Sequence, residues 1–388
     1  MERATIQRIA PASVAGAEAV LGSAAGSGAT VAFVGGETEF GLGYPLERVE
    51  VFLDTKGLDR VVEYAPEDLV VEVEAGMTLG ALQAALRANR QRLALDPPLP
   101  ARATIGGLIA TNAFGPRRTR FGTLRDLIVG ISLVRADGVR VRGGGKVVKN
   151  VAGFDLPKIA VGSLGTLGMI ATATFRLHPL PEAVRMLSVR TNRSGMVRTI
   201  ARELIARRME PSAVAAYDDP AGYEVYVVFE GFEAGVAEQA GRFAALASQF
   251  DLRCEQGAFA DRDAAARTYG DLRFRISVPP SALDALEDEV FAPLREALGH
   301  FSVAIYPTVG IAFLGCIVDD IERTAAAVLT ARASVERLGG NLVITEAPSG
   351  WNVDVYGTLP ASFGLMRELK SRFDPERHLN RGRFVGRL

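Results

Sequence analysis

The chain contains few of the residues that bind metals, with two cysteines and three histidines among 388 residues. Cys254 and Cys316 are far apart in the sequence, and no CxxC motif or Cys/His cluster accompanies them. This spacing excludes an iron–sulfur cluster or structural zinc held by this chain alone. We therefore predict no metal site and a reducing, cytoplasmic compartment.

Long apolar runs and a strong net charge are missing as well. No stretch of about 18 apolar residues is free of charge, so the sequence predicts no transmembrane helix. The first residues, MERATIQRIAPASV, lack the basic and apolar regions of a signal peptide. The net charge of −1 favours neither nucleic acid nor an anionic membrane as a partner. A length of 388 residues, of which 48% are apolar, predicts two globular domains.

Lysine is scarce, and its five positions are Lys56, Lys146, Lys149, Lys158 and Lys370. Three of them fall between residues 146 and 158. Two explanations of this clustering are equally good. One is coding bias combined with chance. The other is that Lys146 or Lys149 supplies a compact point charge to a ligand or a partner.

Glycine, in contrast, is abundant in two regions. VGGETEFGLG spans residues 34–43, and further glycine clusters follow between residues 103 and 170, beside basic side chains. Glycine lets backbone N–H groups approach phosphate oxygens closely, so two such regions predict a ligand with a diphosphate. The sequence between the two regions suggests that this ligand is FAD. The GxxGxxG spacing of Gly162, Gly165 and Gly168 precedes a predicted strand. This arrangement disfavours an NAD-binding Rossmann unit.

Periodicity predicts strands at residues 29–34, 49–54, 69–75 and 169–177, with a short helix near residues 58–64. Thr78 is a candidate N-cap for a helix that reaches about Asn89. Asp137-Gly138 predicts a hairpin between strands 128–134 and 139–142.

The pattern changes after Glu182, where glycine becomes rarer. Strands are predicted at residues 213–217 and 223–230 and within 303–318, and helices at 234–250, 281–298 and 320–338. This alternation is typical of an antiparallel sheet covered on one face by helices. A final helix is predicted at residues 360–373, followed by an irregular tail to residue 388.

Several of these segments resemble the flavoproteins with a PCMH-type FAD-binding domain, the vanillyl-alcohol oxidase fold group. Within that group the chain is similar to the FAD-binding E subunits of bacterial glycolate oxidases. The resemblance covers roughly residues 28–182 and is weak over residues 183–360. It rests on VGGETEFGLG (34–43), TIGGLIATNAFGPRR (104–118), GTLRDLIVG (122–130), GGKVVKNVAGFDLPKIAVGSLGTLG (144–168) and FDPERHLNRGRF (373–384).

The resemblance implies an α+β fold. We expect a two-part PCMH-type FAD-binding domain at residues 1–182 and an antiparallel-sheet cap domain with covering helices at residues 183–360. A C-terminal helix and tail at residues 361–388 would return to the FAD domain. The tail reads Asn380-Arg381-Gly382-Arg383 where the family usually has Asn-Pro-Gly-Lys/Arg, so the proline is lost.

The resemblance also implies the residues that bind FAD, from the first glycine-rich loop through to the GxxGxxG segment. For the first loop, the alternative is a glycine-rich surface turn. The predicted FAD-binding residues are Gly35, Gly36, Glu37, Thr38, Gly41, Thr104, Ile105, Gly106, Gly107, Asn112, Gly115, Lys149, Asn150, Gly153, Phe154, Asp155, Gly162, Ser163, Gly165, Gly168 and Ile170.

Covalent flavin attachment in this family commonly uses a histidine in the first glycine-rich loop, sometimes with a cysteine in the second block. This chain has Glu37, Thr38 and Glu39 in the first loop and no cysteine in the second block. The resemblance therefore implies non-covalent FAD.

The catalytic residues stay open. Oxidation of a 2-hydroxy acid needs a base for the hydroxyl proton and a cation for the carboxylate. The catalytic relatives share a histidine-rich cluster in the substrate domain, and residues 183–360 contain nothing similar. His178 is interpreted as structural. His300, Tyr306 and Arg383 are weak catalytic candidates, with Arg273 and Arg275 as further possible substitutes.

The resemblance implies an FAD-binding subunit of a glycolate oxidase-like 2-hydroxy acid dehydrogenase complex. Its expected partners are a sister FAD-dependent catalytic subunit and an iron–sulfur subunit, which could bring it to the inner membrane face. One alternative is a self-sufficient FAD-dependent 2-hydroxy acid dehydrogenase. Another is a non-catalytic scaffold that keeps the fold for assembly.

Overall fold

The computed structural model describes residues 6–145, 155–219, 222–257 and 260–388. The chain divides into two compact units. The first unit consists of Met1–Phe114, Gly122–Leu180 and Thr358–Leu388, and the second of Gly115–Phe121 and Pro181–Gly357. The predicted boundary at residue 182 lies close to the change of unit at Leu180. The predicted first domain also included residues 115–121, whose contacts place them in the second unit.

Strands and helices are numbered in chain order over the described residues. The strands are β1 (Gln7–Ile9), β2 (Val31–Val34), β3 (Val51–Asp54), β4 (Val61–Ala65), β5 (Val70–Glu74), β6 (Gln91–Arg92), β7 (Ile128–Val134), β8 (Arg140–Gly144), β9 (Met169–Arg176), β10 (His178–Pro179), β11 (Ala183–Thr191), β12 (Ala213–Asp219), β13 (Gly222–Gly231), β14 (Cys254–Gln256), β15 (Leu272–Ser277), β16 (Ser302–Tyr306), β17 (Ile311–Cys316) and β18 (Asn341–Glu346). The α-helices are α1 (Val14–Ser27), α2 (Leu79–Arg87), α3 (Ile105–Thr111), α4 (Arg118–Phe121), α5 (Leu124–Leu127), α6 (Leu156–Ala160), α7 (Ser194–Ala206), α8 (Glu233–Gln249), α9 (Ala260–Thr268), α10 (Ala292–Leu298), α11 (Ile321–Arg337) and α12 (Phe363–Phe373).

The first unit contains two main sheets. A parallel sheet has the order β1-β3-β2, and an antiparallel sheet has the order β4-β5-β9-β7-β8. Strand β9 is central in the second sheet, and its residues are buried from Met169 to Phe175. Each sheet packs its apolar side chains against helices, α1 on the parallel sheet and α2 and α3 on the antiparallel one.

The local signals in the sequence explain several of these elements. Thr78 caps α2, since its side chain accepts a hydrogen bond from the Ala81 N–H at 3.2 Å. Gly138 has a φ of +80°, and β7 pairs with β8 across the turn. These two predictions are confirmed. The predicted helix near residues 58–64 is wrong, because Val61–Ala65 forms the edge strand β4 and pairs with β5.

The C-terminal tail belongs to the parallel sheet of the first unit. The Val31 N–H donates to the His378 carbonyl at 2.8 Å, and the Asn380 N–H donates to the Val31 carbonyl at 2.9 Å. The tail therefore pairs with β2 on the side that β3 leaves open. Helix α12 is anchored beside it through Lys370, whose side chain is almost completely buried.

The second unit is built on one antiparallel sheet with the order β14-β11-β13-β12-β16-β17-β15-β18. Helix α8 packs on one face, where Phe243 lies against Phe229 with ring centroids 6.3 Å apart. Helix α9 packs on the opposite face, which carries Tyr306. The expectation of helices on one face alone is therefore wrong.

The predicted helix at residues 281–298 is interrupted. The chain forms a short 3₁₀ turn at Pro280–Ala282, a π-helical turn at Glu287–Phe291 and then α10. Pro293 explains part of the break because it has no backbone N–H to donate into the preceding turn.

Candidate functional site

A cleft in the first unit encloses about 770 Å³ of space that is open to solvent. Three stretches of chain, Thr55 and two tail residues surround it. The described lining residues are Phe33, Val34, Gly35, Gly36, Glu37, Thr38, Glu39, Phe40, Thr55, Thr104, Gly106, Gly107, Ala110, Thr111, Leu164, Gly165, Gly168, Met169, Ile170, Asn380 and Arg383.

The first stretch is the turn after β2, residues 35–40. A Cβ atom on Gly36 would lie 1.9 Å from the Arg102 carbonyl oxygen, and one on Gly35 would lie 2.4 Å from the Thr104 hydroxyl. Both glycines are therefore required by the close packing of this turn on residues 102–104. Glu37 follows them with a φ of +55°, a left-handed conformation that is unfavourable for a residue with a side chain.

The backbone of this turn is suited to an anion. Within the described part of the chain, the N–H groups of Gly36, Glu37 and Thr38 donate to no acceptor. Successive free N–H groups around a left-handed residue form a concave donor surface of the kind that binds phosphate.

The second stretch is α3 with its N-cap. The Thr104 side chain accepts a hydrogen bond from the Gly107 N–H at 3.3 Å, while Ile105, Leu108 and Ile109 are buried in the core. Gly107 and Ala110 face the cleft, so this side of the helix carries little bulk. The glycine pair gave no helix prediction because glycine is a poor helix former.

The third stretch runs from Leu164 to Ile170 and is joined to the tail by Asn380. The Asn380 carboxamide accepts from the Phe33 N–H at 3.0 Å and donates to the Leu164 carbonyl at 2.5 Å. Gly165 has a φ of +70°, and a Cβ atom there would lie 2.5 Å from the Asn380 amide nitrogen. One side chain thus links both glycine-rich regions to the tail.

Charged side chains surround the first turn. Arg8 of β1 donates to Glu37 at 3.1 Å and to Asp54 at 2.8 Å. Burial would raise the pKa of Asp54, but hydrogen bonds from the Lys56 N–H and Arg8, with the charges of both residues, hold it below its usual value. Arg383 is buried, donates to the Phe40 carbonyl and lies 4.6 Å from the centroid of the Phe40 ring.

The structure brings together many of the predicted FAD-binding residues. Those that line the cleft are Gly35, Gly36, Glu37, Thr38, Thr104, Gly106, Gly107, Gly165, Gly168 and Ile170. Those absent from the lining are Gly41, Ile105, Asn112, Gly115, Asp155, Gly162 and Ser163. Lys149, Asn150, Gly153 and Phe154, together with Lys146, lie outside the described residues. The binding role of each residue stays a prediction.

Sequence reasoning missed several residues of the cleft. Phe33 carries no motif of its own. Leu164 and Asn380 lie in segments that carry the resemblance, but they were not predicted as site residues, and tertiary hydrogen bonds join them to Phe33 at the cleft. Ala110 and Thr111 could have been found by treating residues 105–111 as a helix and following one face.

The three weak catalytic candidates, Arg383, Tyr306 and His300, lie in three different environments. Arg383 lines the cleft. Tyr306 is fully buried in the second unit and donates to the Asp263 carboxylate at 2.6 Å. His300 is exposed after α10, with its ring 5.8 Å from that of Tyr269. His178, interpreted as structural, lies in β10 opposite Arg92 of β6.

Tyr306 belongs to a buried polar cluster under α9. Asp263 also accepts from the Tyr217 hydroxyl at 3.1 Å, and Arg267 donates to the Tyr306 oxygen at 3.3 Å. Burial raises the pKa of Asp263, against the opposing effects of Arg267 and the two tyrosine hydroxyls. The Tyr306 hydroxyl is therefore already committed to a carboxylate.

Strand register places Arg275 opposite Phe313 of β17, and Phe313 opposite Ala304 of β16. Since alternate residues share a face, Arg273, Arg275 and Tyr306 lie on the same face of this sheet. Arg273 is paired with Glu346 at 3.4 Å. This face therefore carries two of the three arginines that the sequence offered as candidates, whereas Arg383 lines the cleft of the first unit.

The described residues contain neither a metal-binding cluster nor a membrane-spanning helix. No group of three or more histidine, cysteine, aspartate or glutamate side chains there could hold a metal ion. No helix there is long and apolar enough to cross a membrane.

The fold and the cleft define the class of protein. The first unit has two main sheets, two glycine-rich stretches and a returning tail, and residues 6–144 match the family model described as FAD binding domain. The chain therefore carries a PCMH-type FAD-binding domain, and the expected cofactor, FAD, is confirmed.

The chain is similar in sequence to several oxidoreductases. Glycolate oxidase subunit GlcE of Escherichia coli (strain K12) is 33% identical over 187 residues, which are 47% of this chain and 51% of that protein. The chain thus spans about half the length of this relative. D-lactate dehydrogenase of Archaeoglobus fulgidus is 28% identical over 367 residues, 84% of this chain and 80% of that protein.

The fold class is confirmed by a solved structure. An alkyldihydroxyacetonephosphate synthase superposes with a TM-score of 0.75 at 16% identity, covering 96% of this chain and 76% of that chain. At this identity the comparison shows a shared α+β fold alone.

Proposed function

We propose that this chain is the FAD-binding subunit of a glycolate oxidase-like 2-hydroxy acid dehydrogenase complex and holds FAD without a covalent bond. The lining of the cleft carries the proposal. Two glycine-rich stretches and the tail surround it, and its described lining residues include neither histidine nor cysteine. Glu37 stands in the loop where covalent members of the family commonly have the attachment histidine.

The residues present fit the cofactor. The N–H groups of Gly36, Glu37 and Thr38 would donate to phosphate oxygens, and the bare side of α3 at Gly107 leaves room for a planar group. When bound, FAD supplies a two-electron acceptor for oxidation of the carbon that bears the hydroxyl. The chain's own contribution is to bind and orient this group and to shield it from water.

The placement of the weak catalytic candidates supports a subunit whose sister carries the substrate chemistry. Tyr306 is hydrogen-bonded to Asp263, and His300 is exposed at a helix end. Neither side chain is therefore placed as a general base that could accept the hydroxyl proton of a substrate. An iron–sulfur subunit would pass electrons onward. The complex would be cytoplasmic and would reach the inner membrane face through its partners.

A self-sufficient FAD-dependent 2-hydroxy acid dehydrogenase is the second candidate. The alignment with the archaeal D-lactate dehydrogenase favours it, because that alignment extends over most of both chains. In this case Arg273 or Arg275 would bind the substrate carboxylate, since both lie on the polar face that also carries Tyr306.

Acid precipitation of the purified protein is expected to release FAD into the supernatant. The physical reason is that the described residues of the cleft lining include neither histidine nor cysteine as an attachment residue. Mass spectrometry of the supernatant identifies the flavin. Yellow colour that stays with the precipitate would contradict the non-covalent proposal, and a colourless protein that binds no added FAD would favour the scaffold.

The isolated chain is expected to oxidise hydroxy acids slowly or not at all. Anaerobic mixing with glycolate, D-lactate or D-2-hydroxyglutarate should leave the flavin absorbance nearly unchanged. Co-expression with a sister flavoprotein and an iron–sulfur protein should allow rapid electron transfer to an artificial acceptor. Fast bleaching of the lone chain by any of these acids would instead establish the self-sufficient enzyme and make His300, Tyr306 and Arg383 the first residues to substitute.

A further inference from the structure

Three arginines hold the first glycine-rich turn, residues 35–40. Arg8 donates to the Glu37 carboxylate at 3.1 Å, and Arg102 donates to the Gly36 carbonyl at 3.4 Å. Arg383 donates to the Phe40 carbonyl. Arg102 and Arg383 therefore donate hydrogen bonds to the backbone of the turn, whereas Arg8 forms an ion pair with the charged side chain of Glu37.

The charge of that side chain conflicts with the expected ligand. Glu37 lines the cleft next to N–H groups that are free to bind an anion. A carboxylate at this position repels a diphosphate, and the left-handed backbone of Glu37 costs further free energy. A glycine would avoid both costs. Glu37 is thus unfavourable for binding a diphosphate unless a partner of opposite charge neutralises its carboxylate.

Arg8 is that partner, and Asp54 holds its guanidinium group in place. Its Nε and Nη2 atoms donate to the same Asp54 oxygen at 3.2 and 2.8 Å. The Asp54 side chain is only 10% exposed, whereas the side chains of Arg8 and Glu37 are 50% and 42% exposed. The buried carboxylate at the end of β3 therefore positions Arg8, and Arg8 in turn neutralises Glu37 at the solvent edge.

We propose that Arg8 is a positioning residue for the diphosphate of FAD, acting through Glu37, and that the Arg8–Glu37 pair sets the affinity of the cleft for this anion. The proposal rests on the occupation of the cleft by FAD. Arg8 cancels the charge of Glu37 and holds the turn in the conformation that exposes the N–H groups of residues 36–38. Glu37 in turn limits the attraction that Arg8 exerts on the ligand.

The test compares FAD dissociation constants, measured by quenching of flavin fluorescence, for the apo forms of the parent protein, Arg8→Gln, Glu37→Gln, the double variant and Arg8→Lys. Arg8→Gln should weaken binding about tenfold, because an unpaired Glu37 then faces the diphosphate. Glu37→Gln should tighten binding about threefold, and the double variant should return to within about twofold of the parent. Arg8→Lys keeps the charge and should recover most of the affinity lost in Arg8→Gln.

Arg48→Gln is the matched control, because Arg48 forms an ion pair with Glu50 in the same unit and is absent from the cleft lining. Its FAD affinity should equal that of the parent. The opposite effects of Arg8→Gln and Glu37→Gln should shrink at high salt, since screening weakens both charges. Thermal unfolding of each apo form shows that the variants are folded.

The outcomes separate this inference from the proposed function. A parent protein that binds no FAD overturns both. A parent that binds FAD while both single variants lose affinity equally shows an ordinary structural ion pair and overturns the inference alone. Equal affinity of all variants overturns it in the same way.

Discussion

Lys370→Met is expected to lower the free energy of unfolding by about 3–5 kcal/mol, because it leaves a buried carboxylate without its cation. The Lys370 ammonium group donates to Asp374 at 2.6 Å, to the Thr166 carbonyl at 2.8 Å and to the Leu379 carbonyl at 3.1 Å. Asp374 is fully buried. Burial lowers the pKa of Lys370, and the charge of Asp374 opposes this shift. Urea unfolding of the apo protein measures the loss.

Arg372→Met on the same helix is the matched control. Arg372 pairs with Glu368 at 2.9 Å, but both side chains are largely exposed. Its loss should therefore cost less than about 1 kcal/mol. Equal losses of unfolding free energy in the two variants would show that burial adds nothing to the contribution of the Lys370–Asp374 pair to stability. Because Thr166 and Leu379 flank Gly165 and Asn380 of the cleft, Lys370→Met should also weaken FAD binding.

Gly107→Val is expected to abolish the stabilisation that FAD gives to the folded protein. At a hundredfold excess over its dissociation constant, FAD should stabilise the parent by about 2.7 kcal/mol. A Cβ atom at Gly107 would have one close neighbour, the Thr104 hydroxyl at 3.1 Å, and the rest of the side chain would enter the cleft. The apo variant should therefore stay within about 1 kcal/mol of the parent.

Gly26→Val controls for the change from glycine to valine in a helix of the same unit. A Cβ atom there meets no heavy atom within 4 Å, and Gly26 is absent from the cleft lining. Gly106→Ala is unsuitable as a test, because its Cβ atom would lie 2.9 Å from that of Ala75. Thermal unfolding with and without FAD gives the result. A Gly107→Val protein that FAD stabilises like the parent would place the flavin elsewhere.

The sequence predicted those parts of the fold that depend on a few neighbouring residues. The Thr78 cap and the Asp137-Gly138 hairpin are local, since a side chain or a turn conformation decides them. Helix α3 was missed because its glycines lower helix propensity, while burial of Ile105, Leu108 and Ile109 overrides that cost.

The candidate site was predicted where it consists of glycine-rich loops and missed where it depends on distant chain segments. Gly35, Gly107 and Gly165 were found because their spacing carries the signal. The bridge from Asn380 to Phe33 and Leu164 joins positions that are hundreds of residues apart in sequence. Similarly, the pairing of Arg8 with Glu37 depends on the position of β1 beside β3.

The interleaved order of the two units has a consequence for biosynthesis. During translation the ribosome makes the second unit, residues 181–357, before the last segment of the first, Thr358–Leu388. Until that segment emerges, β2 lacks the tail that pairs with it, and the cleft lacks Asn380 and Arg383. Completion of the cleft is therefore a late step, and a ribosome stalled before residue 380 leaves a nascent chain whose cleft lacks both residues.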